Sequence, residues 1–281
     1  MSALAQALAT DDVPVELVAL LVAAELMPSL DVERELRKLD ALAAELDLER
    51  APRAPEDAAR LLSDGLARRL RFHGDREDYY APANSLLPIV IERRVGLPIS
   101  LAVVYIALAR RLGIEAKGIG FPGHFLVRVG DDERHAFIDP FEGKVVDEAG
   151  LAAILERIRG VPAPVLPEHL RVATPREIAV RMLTNLDVAY RRIGQLGRAF
   201  VACDRRVELT ELPEHLRDRG LLALRLGSDS IAVSDLHDYL AARPAARHVV
   251  GQGLQPLLVD GPALVDKQGR ADLDHDTAGV A

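Results

Sequence analysis

His124 and Asp139 of this 281-residue chain are the residues whose types could do chemistry as a pair: a His–Asp pair can hold two strands together, bind a ligand or move a proton. Each adjoins a short apolar run, Phe125-Leu126-Val127 and Ala136-Phe137-Ile138, so both are expected on or beside neighbouring strands. A carboxylate that holds an imidazole in one tautomer lets it draw a proton from a nucleophile or a water. The nucleophile is the open question. The chain has one cysteine, Cys203, on an apolar helical segment far along the sequence, which reads as core. Ser100 is the hydroxyl candidate nearest the start of the apolar helix that precedes His124, and Pro98, two residues earlier, has no nucleophilic atom. His135 adds a second imidazole, but no tight spacing such as His-x-x-x-His is present, so no metal and no cofactor are expected.

The elements that must position these residues are mostly helical. Residues 13–26 predict a buried helix capped by Asp11 or Asp12. Asp31 to Leu48 carries Leu36, Leu39, Leu42, Ala43 and Leu46 at helical spacing, and Glu56 to Phe72 predicts a third helix. His73 to Ser85 is irregular and aromatic. Leu86 to Arg94 reads as helix. Pro98 to Leu112 is apolar on nearly every side, which demands burial all round, with proline well placed in its first turn and Gly113 at its end. Ala116–Phe121, His124–Val129 and Ala136–Ile138 predict short strands, with Gly130-Asp131-Asp132 as a turn. Asp147 to Ile158 returns to helix. Pro162, Pro164, Pro167 and Pro175 mark a junction, after which residues 175–243 are helical. There Tyr190-x-x-x-Gly194 and Ala199 recur 33 residues on as Ala223-x-x-x-Gly227 and Ala232. That period resembles tetratricopeptide helical hairpins.

Composition narrows the function class. Net charge is −8, which disfavours a nucleic-acid backbone binder. A single cysteine forbids an internal disulfide and suits a reducing cytoplasm. The apolar run 15–24 is bracketed by Glu16 and Glu25 and lacks a basic flank, so neither a membrane span nor a leader is expected. Gly118-Ile119-Gly120 and Gly123 imitate a dinucleotide loop but contain Pro122 and lead into a strand; phosphate-loop and Gly-x-Ser-x-Gly patterns are absent. Asp272-Leu273-Asp274-His275-Asp276 has metal-ligating types, but it lies in a stretch that reads as a loose tail.

Several longer motifs resemble the SirB family of bacteria: Asp78-Tyr79-Tyr80, Asn84-Ser85, Arg93-Arg94, Gly96-Leu97-Pro98-Ile99-Ser100-Leu101, Gly118 through Val127, Ile138-Asp139-Pro140-Phe141, Arg181-Met182-Leu183-x-Asn185-Leu186 and Arg217 through Leu222. The resemblance implies an α+β, mostly helical fold. Its parts would be a lead-in (1–85), a transglutaminase-like, papain-type core with a small antiparallel sheet (86–165), tetratricopeptide-like hairpins (175–250) and a tail (251–281). It also implies that Pro98 stands where such proteins carry a cysteine opening a helix, with Asn84, Arg94 and Gly123 as groove or motif residues. If Pro98 faces the cleft, Ser100 is rotated by about 200° and faces away.

Two readings follow. The preferred one is a non-catalytic transglutaminase-like protein, an interaction or regulatory module that meets an unknown protein partner through its helical repeats, since losing the nucleophile removes the step that divides the reaction. The alternative is a hydrolase or acyltransferase using Ser100 or water with His124 as base and Asp139 as orienter. A cytoplasmic location, away from nucleic acid and membrane, is expected on either.

Overall fold

A computed structural model describes residues 1–10, 12–46 and 52–242. The chain opens with α1 (Ala3–Ala7), α2 (Val15–Ala24) and α3 (Val32–Leu46). Pro14, and not the expected Asp12, occupies the N-cap of α2, without a side-chain hydrogen bond; Asp11, the other expected cap, lies outside the described residues. The third predicted helix is α4 (Pro55–Ser63), but it ends early and widens into a π-helical turn over Asp64–Arg69, closed by Leu70 N–H to the Gly65 carbonyl at 2.9 Å. A Cβ on Gly65 would lie 3.1 Å from Leu46, so the bare glycine lets the end of α3 approach.

A two-residue parallel pair, β1 (His73–Gly74) with β2 (Val95–Gly96), brackets a 3₁₀ turn at Pro82–Ser85 and α5 (Leu87–Arg93). Then comes α6 (Pro98–Arg111), in which every residue from Pro98 to Ala109 is buried, as its unbroken apolar surface requires. Gly113, at φ +70°, turns the chain out of it.

The sheet is antiparallel in sequential order: β3 (Ala116–Ile119), β4 (Leu126–Gly130), β5 (His135–Asp139) and β6 (Lys144–Val146). Val127 pairs with Ile138 and Phe137 with Val146. Strand β6 is too short to stand out by alternation, and the sequence does not predict it. His124 does not begin a strand; its N–H bonds the Phe121 carbonyl at 3.0 Å in the turn ahead of β4. After α7 (Glu148–Arg159) the proline-rich junction returns to the sheet edge, where Val172 bridges Ile119 and Ala173 N–H reaches the Gly118 carbonyl at 2.8 Å.

Two helical hairpins follow, α8 (Pro175–Arg192) with α9 (Leu196–Leu209) and α10 (Pro213–Arg225) with α11 (Asp229–Ala242). The 33-residue repeat is visible in their turns. Gln195 N–H bonds the Tyr190 carbonyl at 2.9 Å, and Ser228 N–H bonds the Ala223 carbonyl at 2.8 Å. Gly194 and Gly227 hold φ of +73° and +74°, and Ala199 and Ala232 are both buried. Buried Arg206 ties the hairpins together through Asp187 (3.1 Å) and Asp218 (2.9 Å). The molecule is therefore mostly helical α+β. One apolar cluster contains Leu4, Leu20, Val103, Met182 and Leu222, so α1, α2, α6, α8 and α10 share it. Residues 243–281, including the expected tail and Asp272–Asp276, lie outside the described residues. Among the described residues no helix is long and apolar enough to cross a membrane.

Candidate functional site

The site begins at the first turn of α6. Pro98 occupies the first helical position, where a missing N–H costs nothing because that amide has no intrahelical acceptor. Proline there also supplies neither a nucleophile nor an amide proton. Ser100 lies in the same turn, fully buried. Its oxygen accepts from Leu97 N–H at 2.9 Å. Its single proton goes to the nearer of two carbonyls, Asn84 at 2.6 Å over Leu97 at 3.1 Å. Gly96 makes room for this: a Cβ there would come within 2.7 Å of Ser100 Oγ.

Asn84 organises the segment before it. Its amide nitrogen donates to the carbonyls of Asp78 (2.7 Å) and Tyr79 (3.3 Å), and its side-chain oxygen accepts from Arg93 at 3.3 Å. The chain is thereby wound so that Tyr79, Tyr80 and Ser85 form a wall of a cleft. Burial, with Tyr80 adding and Arg181 opposing, pushes the Tyr79 phenol up to about 12, so it stays protonated and able to donate. The Ser85 hydroxyl is buried with no partner among the described residues.

Across the cleft stands His124, 4% exposed. Its Nε2 lies 3.0 Å from Asp139 Oδ1, at the end of β5. That oxygen also accepts the amides of Phe141 (3.0 Å) and Glu142 (3.2 Å). Burial alone would raise the Asp139 pKa; the bond to His124 and the two amides outweigh it and hold the carboxyl below its usual range. An ionised Asp139 accepts the Nε2 proton, which leaves Nδ1 with a lone pair as the ring's remaining polar atom. Gly123, at φ +59°, makes the turn that sets the ring in place.

The cleft holds roughly 580 Å³ including its open mouth, and Pro98, Gly123 and His124 all line it. A third wall comes from α8, through Arg181 and Asn185. Arg181 donates to the Phe121 carbonyl at 3.4 Å and lies over the Phe125 ring. Both residues belong to a motif legible in the sequence, but sequence reasoning does not place them in the site. Their i, i+4 spacing puts them on one helix face, and nothing local says which wall that face becomes.

The other candidates are placed elsewhere. Ser100, Asn84 and Asp139 do not line the cleft. Arg94 ends α5 at φ +62° and stacks its guanidinium on Phe72. His135 is exposed and bonds the Asp131 carbonyl. Cys203 is buried against Arg191, and its thiol is pushed up to about 12 chiefly by burial, with Asp187 adding and the two nearby arginines opposing. Among the described residues no group of three or more His, Cys, Asp or Glu is arranged to hold a metal ion.

A helix opening at the cleft, with a histidine in the turn ahead of β4 bonded to an aspartate at the end of β5, is matched in sequence as well. Residues 33–184 fit the model of the Transglutaminase-like superfamily. The chain belongs to this superfamily. The matched span runs from α3 into α8, so Arg181 lies inside it and Asn185 just beyond. Among curated relatives of this transglutaminase-like chain, a UPF0162 protein of Xylella fastidiosa is 43% identical over 189 residues, covering 66% of this chain and 67% of that protein. A UPF0162 protein of Pseudomonas aeruginosa is 34% identical over 194 residues, covering 68% and 70%. Among solved structures, menin aligns over 88% of this chain and 66% of its own with a TM-score of 0.43 and 14% identity, too distant to argue from.

Proposed function

We propose that this protein is a SirB-family member whose transglutaminase-like cleft has lost covalent acyl transfer and serves as a binding module. One observation carries the reading: the helix start that lines the cleft with His124 carries Pro98, which has no nucleophilic atom. The two nucleophiles weighed in the sequence, Ser100 and Cys203, point the same way. Ser100 has given its proton to Asn84, and the Cys203 thiol is buried in α9. Exposed Leu224, Leu226, Ile231 and Val233 on the second hairpin support a further surface for a protein partner. The unpaired single cysteine supports a cytoplasmic location.

The retained His124–Asp139 pair favours a second reading, hydrolysis in which His124 Nδ1 draws a proton from water. One experiment separates the two. The full chain and His124→Ala are assayed for amine incorporation into a glutamine peptide and for ester hydrolysis. No turnover above the variant is expected. A turnover that His124→Ala abolishes, with the melting temperature unchanged, would establish the hydrolytic reading instead.

A further inference from the structure

We propose that the cleft recognises a carboxylate borne on a short apolar chain; this rests on reading the cleft as a binding site. Its polar lining is donor-rich. Arg181 carries a full positive charge, while Tyr79, Ser85 and Asn185 offer two hydroxyls and an amide. Among the described residues that line the cleft, none is acidic, although the whole chain carries a net charge of −8. A concave site lined by one cation with hydroxyls and amides and no carboxylate, set in an acidic protein, selects an anion by its local field.

Two further observations sharpen this. Ser85 is 1% exposed, lines the cleft, and its hydroxyl has no partner among the described residues. A buried hydroxyl without a partner is unfavourable, and a ligand oxygen would supply the missing bond. The start of α6, a 14-residue helix, also meets the cleft at Pro98 and Ile99, adding its positive dipole end.

The shape argues for carboxylate over phosphate. Phosphate at a helix start is cradled by several successive amides, and here Pro98 deletes one of them. The remaining lining, Leu97, Ile99, Phe125 and Val188, is apolar and suits a hydrocarbon chain. Arg181 is already steadied by the Phe121 carbonyl and the Phe125 ring, so little is lost in ordering it for a planar anion.

The test uses the full chain and follows the His124 ring signals by NMR during titration. The probes are butyrate and its neutral isostere butyramide, and the peptide acetyl-Gly-Leu as free acid and as C-terminal amide. The free acids are expected to bind at least tenfold tighter than the amides. Arg181→Met is expected to weaken butyrate at least tenfold, with partial recovery in Arg181→Lys. Ser85→Ala, which removes one oxygen, is expected to weaken it several-fold and covers the case in which the Arg181 variants fail to fold. Binding of butyrate alone assigns the site to a small free acid, and preference for the peptide acid assigns it to a polypeptide C-terminus. Equal binding of acids and amides, or no binding of any probe, overturns the proposal. A separate arm offers p-nitrophenyl butyrate. Nitrophenolate release that His124→Ala lacks would overturn the non-catalytic reading, while the acid–amide comparison still decides the ligand.

Discussion

The Ser100 hydroxyl hydrogen-bonds the Asn84 carbonyl at 2.6 Å, sixteen residues upstream, and so joins the first turn of α6 to the segment that walls the cleft. The bond is buried and has a mechanical role: it holds the Tyr79–Ser85 wall against the helix that opens at Pro98.

Replacing Ser100 with alanine removes two buried hydrogen bonds and leaves the Leu97 amide and the Asn84 carbonyl with only their longer mutual bond of 3.2 Å. A loss of about 1–3 kcal/mol is expected, which for a chain of this size lowers the melting temperature by about 5 °C. Calorimetry checks it. A serine acting as nucleophile would instead give a stable protein with altered chemistry.

Pro98→Cys places a thiol at the start of a 14-residue helix, in the cleft that His124 also lines. Helix dipole and imidazole both favour the thiolate, so its pKa is expected below the ordinary ~8.5. Iodoacetamide at pH 7 should label the introduced thiol rapidly and leave buried Cys203 unlabelled until unfolding. Adding His124→Ala should slow the labelling. A thiol with an ordinary pKa, indifferent to His124, would show that position 98 does not face the imidazole.

His215 donates from Nδ1 to Thr210 Oγ1 at 2.5 Å, because the Thr210 hydroxyl is itself given to the Arg206 carbonyl. Burial first, and Arg206 second, push its pKa down to about 4 from an ordinary 6.5. The folded state therefore holds His215 neutral. The stability this contributes is complete above pH 6.5 and is lost as pH falls toward 4, on the order of 2–3 kcal/mol. His215→Gln, which keeps a polar group at that position, should flatten the fall in unfolding free energy between pH 6.5 and 4. An unchanged slope would refute the assignment.

Gly194 and Gly227 hold the left-handed backbone at equivalent points of the repeat, and a Cβ at either would meet no atom within 4 Å. Alanine at each should cost about 1 kcal/mol, from backbone conformation alone, and the two losses should add. Chemical denaturation of the single and double variants measures this.

The sequence by itself determined what depends on local pattern. An apolar surface on every side of Pro98–Leu112 could only be a buried helix, and residues 98–109 are buried. The 33-residue recurrence of Gly194 and Ala199 announced two hairpins with like turns, because a left-handed glycine and a small packing residue leave their mark in residue type. His124 and Asp139 each flanked an apolar run, and they meet at 3.0 Å between the turn ahead of β4 and the end of β5.

Tertiary structure alone decided what depends on contacts distant in sequence. That α8 supplies the third wall, bringing Arg181 to His124, follows from helix packing between segments some sixty residues apart, and periodicity says which face is apolar but not what it covers. The partner of Ser100 is a backbone carbonyl, which no residue type reveals. Likewise the close approach of Leu46 to Gly65 in the π turn joins two separate helices, and the three-residue β6 exists because β5 offers it an edge. A side chain's type states which bonds it can make; the fold decides which of them it has already made.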